Sequence, residues 1–99
     1  MAFEMNTVIT RVAYAVNYDI NDLDARNHVE LLIEAGLEDM RQAGVTQAVI
    51  DSDNKLLTSA LIIFVNDNLN LNPGTRMTSP MYLANVDKLR GLVVQSESE

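Results

Sequence analysis

Few residues in this 99-residue chain have both the type and the spacing to do chemistry. His28 is the only histidine, and there is no cysteine. Zinc sites built from imidazole and thiolate, iron–sulfur sites and disulfides are therefore excluded. A Ser–His–Asp triad would have to use that one imidazole, which lies beside an apolar helical stripe and reads as a boundary packing residue. Glu30, Glu34 and Glu38 stand at four-residue intervals, which on a helix stacks three carboxylates along one face. The row reads first as a solvated face; its functional reading is an acidic strip that meets a basic partner or lines a channel. A straight row does not converge as a calcium loop does, so no metal is expected on it. Asp19, Asn21 and Asp22 look like the opening of such a loop, but its sixth position is Asp24 rather than glycine. They read as a loop and a helix cap. The turn at Asn72-Pro73-Gly74-Thr75 holds a single glycine, and no phosphate-cradling glycine pattern exists. No catalytic constellation and no cofactor is expected, so the chain reads as a non-enzyme.

Composition narrows the field further. Apolar residues make up 47% of the chain, which excludes a disordered polypeptide. Aromatic residues are 5% and tryptophan is absent, so there is little material for stacking bases. The formal net charge is −7, with Lys and Arg totalling 7. A protein that neutralises phosphates, or rests on an anionic membrane, needs more cationic surface than that. Residues 1–10 carry Glu4 and no basic cluster, so they do not read as a signal peptide. The longest apolar run, residues 60–65, is far shorter than the roughly 20 residues of a membrane span.

Four helical segments must position these residues. The first covers about residues 7–16, with Val8, Ile9, Val12, Ala13 and Val16 on one side. The second covers 23–43, capped by Asn21 or Asp22 and ended by Gly44. Its stripe is Val29, Leu32, Ile33, Gly36, Leu37, Met40 and Ala43, and Gly36 on that stripe implies a close helix approach. Residues 45–51 fit a turn, a helix or a strand, and a helix–helix connection is preferred. Asp51, Ser52 or Asp53 then caps a third helix over 54–69. It is apolar nearly all round, through Leu57, Ala60, Leu61, Phe64, Val65 and Leu69, widened by Leu56, Ile62 and Ile63. That marks a buried central helix, unless Ile62 and Ile63 face a neighbouring subunit. Residues 70–79 form the expected mobile loop, with Asn72, Pro73, Gly74, Thr75, Arg76 and Met77 as its partner-docking candidates. Ser79-Pro80 opens a last helix over 80–93, with Leu83, Val86, Leu89, Arg90 and Val93 along one side. Met77 and Met81 read as core fillers. The expectation is one all-α domain over 1–99, a bundle of about four helices with a long central pair, loose at 1–6 and 95–99.

Three stretches carry a resemblance. They are Val12-Ala13-Tyr14-Ala15-Val16 with Asp19-Ile20-Asn21-Asp22-Leu23-Asp24; Leu31-Leu32-Ile33-Glu34-Ala35-Gly36-Leu37-Glu38-Asp39-Met40; and residues 57–68 followed by Val86-Asp87-Lys88-Leu89-Arg90. In order and type, over residues 7–92, the chain resembles the head–tail connector proteins of long-tailed bacteriophages and prophages. Two departures stand out: Gly36 where that family commonly has alanine, and Asn66-Asp67-Asn68-Leu69-Asn70 where it often has an aromatic-rich helix end. The resemblance implies a structural ring protein of the virion, of about a dozen copies by portal symmetry, assembled in the bacterial host cytoplasm. Its implied partners are further copies of itself, the portal protein above and a tail-completion or stopper protein below. DNA would pass through without specific binding, because an acidic lumen repels phosphate. Glu30, Glu34 and Glu38 are the candidates for lumen or inter-subunit surface. The alternative reading is a small acidic helical adaptor or regulatory protein, acting as monomer or dimer through protein–protein contacts.

Overall fold

The places where the chain breaks follow from its caps. The computed structural model describes residues 4–52, 54–69 and 77–92. Among them every regular element is a helix: α1 Met5–Ala15, α2 Leu23–Gln42, α3 Gln47–Asp51, α4 Lys55–Asn68 and α5 Pro80–Arg90. The protein is thus the small all-α bundle that its periodicity predicts. The Asp22 carboxylate accepts from the backbone N–H groups of Asp24 and Ala25 at 3.0 and 3.3 Å, satisfying donors that the first turn of α2 leaves open. Thr46, Asn54 and Ser79 start α3, α4 and α5 in the same way, with Pro80 just inside α5. The cap of α4 is therefore Asn54 rather than Asp51 or Ser52. Asp51 lies inside α3, and the Ser52 hydroxyl turns back to donate to the Val49 carbonyl at 2.6 Å. Asp53 lies outside the described residues.

Two helices end alike. Asn17 (φ 62°) and Gly44 (φ 105°) take the left-handed conformation just past α1 and α2. Tyr18 N–H then reaches Ala13 O at 2.8 Å, and Val45 N–H reaches Met40 O at 2.9 Å. Each is a Schellman closure, which needs the residue type that tolerates positive φ. The second closure turns the chain so that Val45 is buried while Ala43 stays exposed, correcting its placement on the buried stripe. The stretch 45–51 is a connection carrying one short helix, α3, whose Val49 and Ile50 enter the core.

Helix α4 is the central element and packs on α1, α2 and α5. Its Leu57, Ala60, Leu61, Phe64 and Val65 are buried against Ile9 and Val12 of α1, Val29, Ile33 and Met40 of α2, and Val86 and Leu89 of α5, within one continuous core. Each large aliphatic side chain so buried contributes about 1.5–3 kcal/mol, which is what holds the β-branched α1 in helical form. Gly36 lets α2 approach α4: a Cβ there would lie 3.0 Å from Phe64 Cδ2. On α5 the buried face is rotated from the expected one. Tyr82 is 0% exposed and Leu83 51%. Both positions continue the period through Val86, and the choice is made by partners on other helices. The Tyr82 ring lies 5.3 Å from that of Phe64, and its hydroxyl donates to Asp39 Oδ2 at 2.7 Å. Met77 and Met81, expected in the core, are exposed at 47% and 66%. Helix α5 ends at Arg90, and Val93 lies outside the described residues.

Candidate functional site

The end of α1, the outer side of α4 and the start of α5 leave a groove of about 540 Å³. Its walls are mostly apolar: Val16 just past α1, Ile62 and Ile63 from α4, and Pro80 and Met81 from α5. Ile62 and Ile63 are the residues that widen the apolar side of α4 beyond what one core face needs, and each is only partly buried. Asp67, one turn beyond Ile63, also lines the groove. Its Oδ2 is shielded from solvent and has no hydrogen-bond partner among the described residues. An unsatisfied buried acceptor costs about 1–3 kcal/mol. The position adds to that cost. Asp67 sits in the last turn of α4, where the helix dipole disfavours negative charge, and no basic residue occupies that turn.

The neighbouring residue is fully satisfied. Asn68 is 2% exposed, and its amide donates to Phe64 O at 2.7 Å and to Met77 O at 2.9 Å. Its Oδ1 accepts from Met77 N–H at 2.8 Å. This one side chain clasps the entry to α5 against the end of α4 and so fixes the third wall of the groove. The segment Asn66-Asp67-Asn68 thus has two roles that its departure from an aromatic-rich pattern did not disclose. Asn68 closes the structure, and Asp67 leaves a carboxylate beside an apolar surface. The signal available in the sequence was an acidic residue one turn past Ile62 and Ile63 at a helix C-terminus.

The residues singled out for chemistry do not converge. Glu30 meets Arg26 at 3.7 Å and Glu38 meets Arg41 at 3.6 Å, both along α2, the first pair partly buried and the second more exposed. Surface pairs of this kind contribute little to stability. Glu34 is exposed. None of the three lines the groove. Asp19 Oδ1 accepts from Asn21 N–H at 2.9 Å, closing a tight local turn before the Asp22 cap. His28 is partly buried, with Nε2 3.3 Å from the Leu69 carbonyl and its ring 6.3 Å from that of Tyr18. Asn72, Pro73, Gly74, Thr75 and Arg76 lie outside the described residues, and Met77 is held by Asn68.

Elsewhere, burial, then the Asp39 hydrogen bond and charge, push the Tyr82 phenol well above its ordinary range. Among the described residues no group of three His, Cys, Asp or Glu side chains could hold a metal ion, and no helix is long and apolar enough to cross a membrane. Comparison of the chain with models of protein families, with curated proteins and with solved structures finds no match.

Proposed function

We propose that this chain is a structural assembly protein: a ring subunit at the head–tail junction of a bacteriophage or prophage virion. It would dock on the portal, extend the DNA channel and present a surface to a tail-completion or stopper protein. The observation that carries an assembly role is the groove. It is an open apolar surface, built from three helices, with an unsatisfied carboxylate in its wall. A protein that works alone has little use for such a surface, whereas one completed by a partner uses it directly. The resemblance over residues 7–92 supports the specific placement under a portal.

Charge supports the same reading. Each subunit brings a net −7, so a ring of about a dozen copies surrounds its lumen with negative potential that repels DNA phosphates. A closed ring joins different faces of successive subunits rather than one face to itself. The row Glu30, Glu34 and Glu38 lies on α2, and Leu23 and Leu31 on the same helix are 67% and 58% exposed. That outer face is the proposed lumen or inter-subunit surface. The ring performs no catalysis and needs no cofactor.

The test is the mass of the purified chain by light scattering across a concentration series, with and without portal-bearing capsids. A species of about a dozen subunits, or binding confined to capsids, supports the proposal. A stable two-fold dimer that ignores capsids overturns it and favours a small adaptor.

A further inference from the structure

We infer that the groove between α1, α4 and α5 is the docking site for a segment of another protein that presents an aliphatic side chain with a lysine or arginine beside it. The inference adds the partner's chemistry to the assembly reading, and rests on that reading only in taking the occupant to be a protein. Three observations select this occupant. Val16, Ile62, Ile63, Pro80 and Met81 form walls that suit an aliphatic side chain and offer it few polar competitors. The Asp67 carboxylate lines the same wall, at the helix end where negative charge is least favoured. A cation seated in the groove pairs with that carboxylate's charge and opposes the dipole's penalty. An acidic or purely apolar segment does neither.

The third observation separates a foreign segment from a second copy. The chain carries a net −7, so two copies repel at long range while a basic segment is attracted. Three of its own seven cations also have partners on their own helices. Arg26, Arg41 and Arg90 pair with Glu30, Glu38 and Asp87 along their own helices. Recognition therefore combines an apolar anchor, which sets affinity, with a charge pair at its edge, which sets specificity and hastens encounter.

The test selects random short peptides displayed on a surface against the full chain. It then measures the enriched peptide, and a copy with norleucine in place of its cation, on wild type, Ile63→Gln, Asp67→Asn and the control Leu31→Gln. Thermal melts first establish that each variant folds. The expected consensus is an aliphatic residue with Lys or Arg within two positions. Ile63→Gln should weaken both peptides. Asp67→Asn should weaken the cationic peptide by about tenfold and leave the norleucine peptide unchanged. Leu31→Gln should change neither. Failure to enrich any peptide, a consensus lacking a cation, or equal losses for both peptides on Asp67→Asn overturns the inference. So does self-association that Ile63→Gln abolishes, which would give the groove to a second copy. Failure of the portal reading alone shows differently: the peptides still bind, but capsids do not.

Discussion

Alanine at position 36 sets helix propensity against packing, and the two have opposite signs. In an unconstrained helix interior, alanine is better than glycine by about 1 kcal/mol. Here the added Cβ would lie 3.0 Å from Phe64 Cδ2, 3.2 Å from Leu61 Cδ2 and 3.3 Å from Phe64 Cγ. Carbon atoms prefer about 3.5–4.0 Å, so α2 and α4 must part by roughly half an ångström or the ring must turn. The ring has little freedom. It lies 5.3 Å from Tyr82, whose hydroxyl is tied to Asp39 back on α2. Overpacking of this kind costs about 1–3 kcal/mol. Subtracting the propensity gain leaves a net loss of about 1 kcal/mol, a fall in Tm of about 4–8 °C for a domain of this size. Thermal and urea unfolding of Gly36→Ala against wild type reads it directly. Phe64→Leu in the same background should recover part of the loss, giving a coupling between the two sites in a double-mutant cycle. A rise in Tm for Gly36→Ala would refute the reasoning, because it would mean that the helices are not in limiting contact at that point.

Three further outcomes follow from the same geometry. Asn68→Ala leaves the Met77 N–H and carbonyl without their side-chain partner, and should cost about 1–3 kcal/mol in urea unfolding; a near-neutral result would mean that the clasp on α5 is not needed. Asp67→Asn removes an unpaired charge from the end of α4, and should raise Tm by about 4–8 °C; a fall would show that the carboxylate has a stabilising partner. For Tyr82 the folded state holds its proton more tightly than the unfolded chain, so its contribution is fully present below the ordinary phenol pKa of about 10 and declines above it. Stability of the wild type should fall by up to about 1.4 kcal/mol per pH unit from this group above that point, and Tyr82→Phe should lack that component of the slope. Parallel pH profiles for the two proteins would contradict the buried phenol.

The reading of the fold from sequence succeeds where the signal is local. Asp22, Ser79-Pro80 and Gly44 are caps whose chemistry acts within a few residues, and each stands where expected. The apolar stripe of α2 and the nearly all-round apolarity of α4 are likewise local periodicities. The misplacements occur where two adjacent positions satisfy the same period and a distant partner decides. Tyr82 displaces Leu83 because Phe64 and Asp39 supply a ring and an acceptor. Asn54 caps α4 because α3 extends the preceding helical turn through Asp51. The groove was half legible. Ile62 and Ile63 gave an apolar surplus, with a subunit contact as one outcome. The walls contributed by Val16, Pro80 and Met81 come from helices distant in sequence, and Asn68 closes them through Met77. Nothing in the spacing of Asp67 shows that its Oδ2 lacks a donor among the described residues.

The proposed function is assembly on a portal. The most direct measurement is the number of copies that co-sediment with DNA-filled, portal-bearing capsids, counted per capsid at saturation and compared with capsids lacking a portal. A portal-docked ring should saturate at about a dozen copies on portal-bearing particles and at none on the others. Equal binding to both, or no binding to either at concentrations well above those needed for a ring, would contradict it.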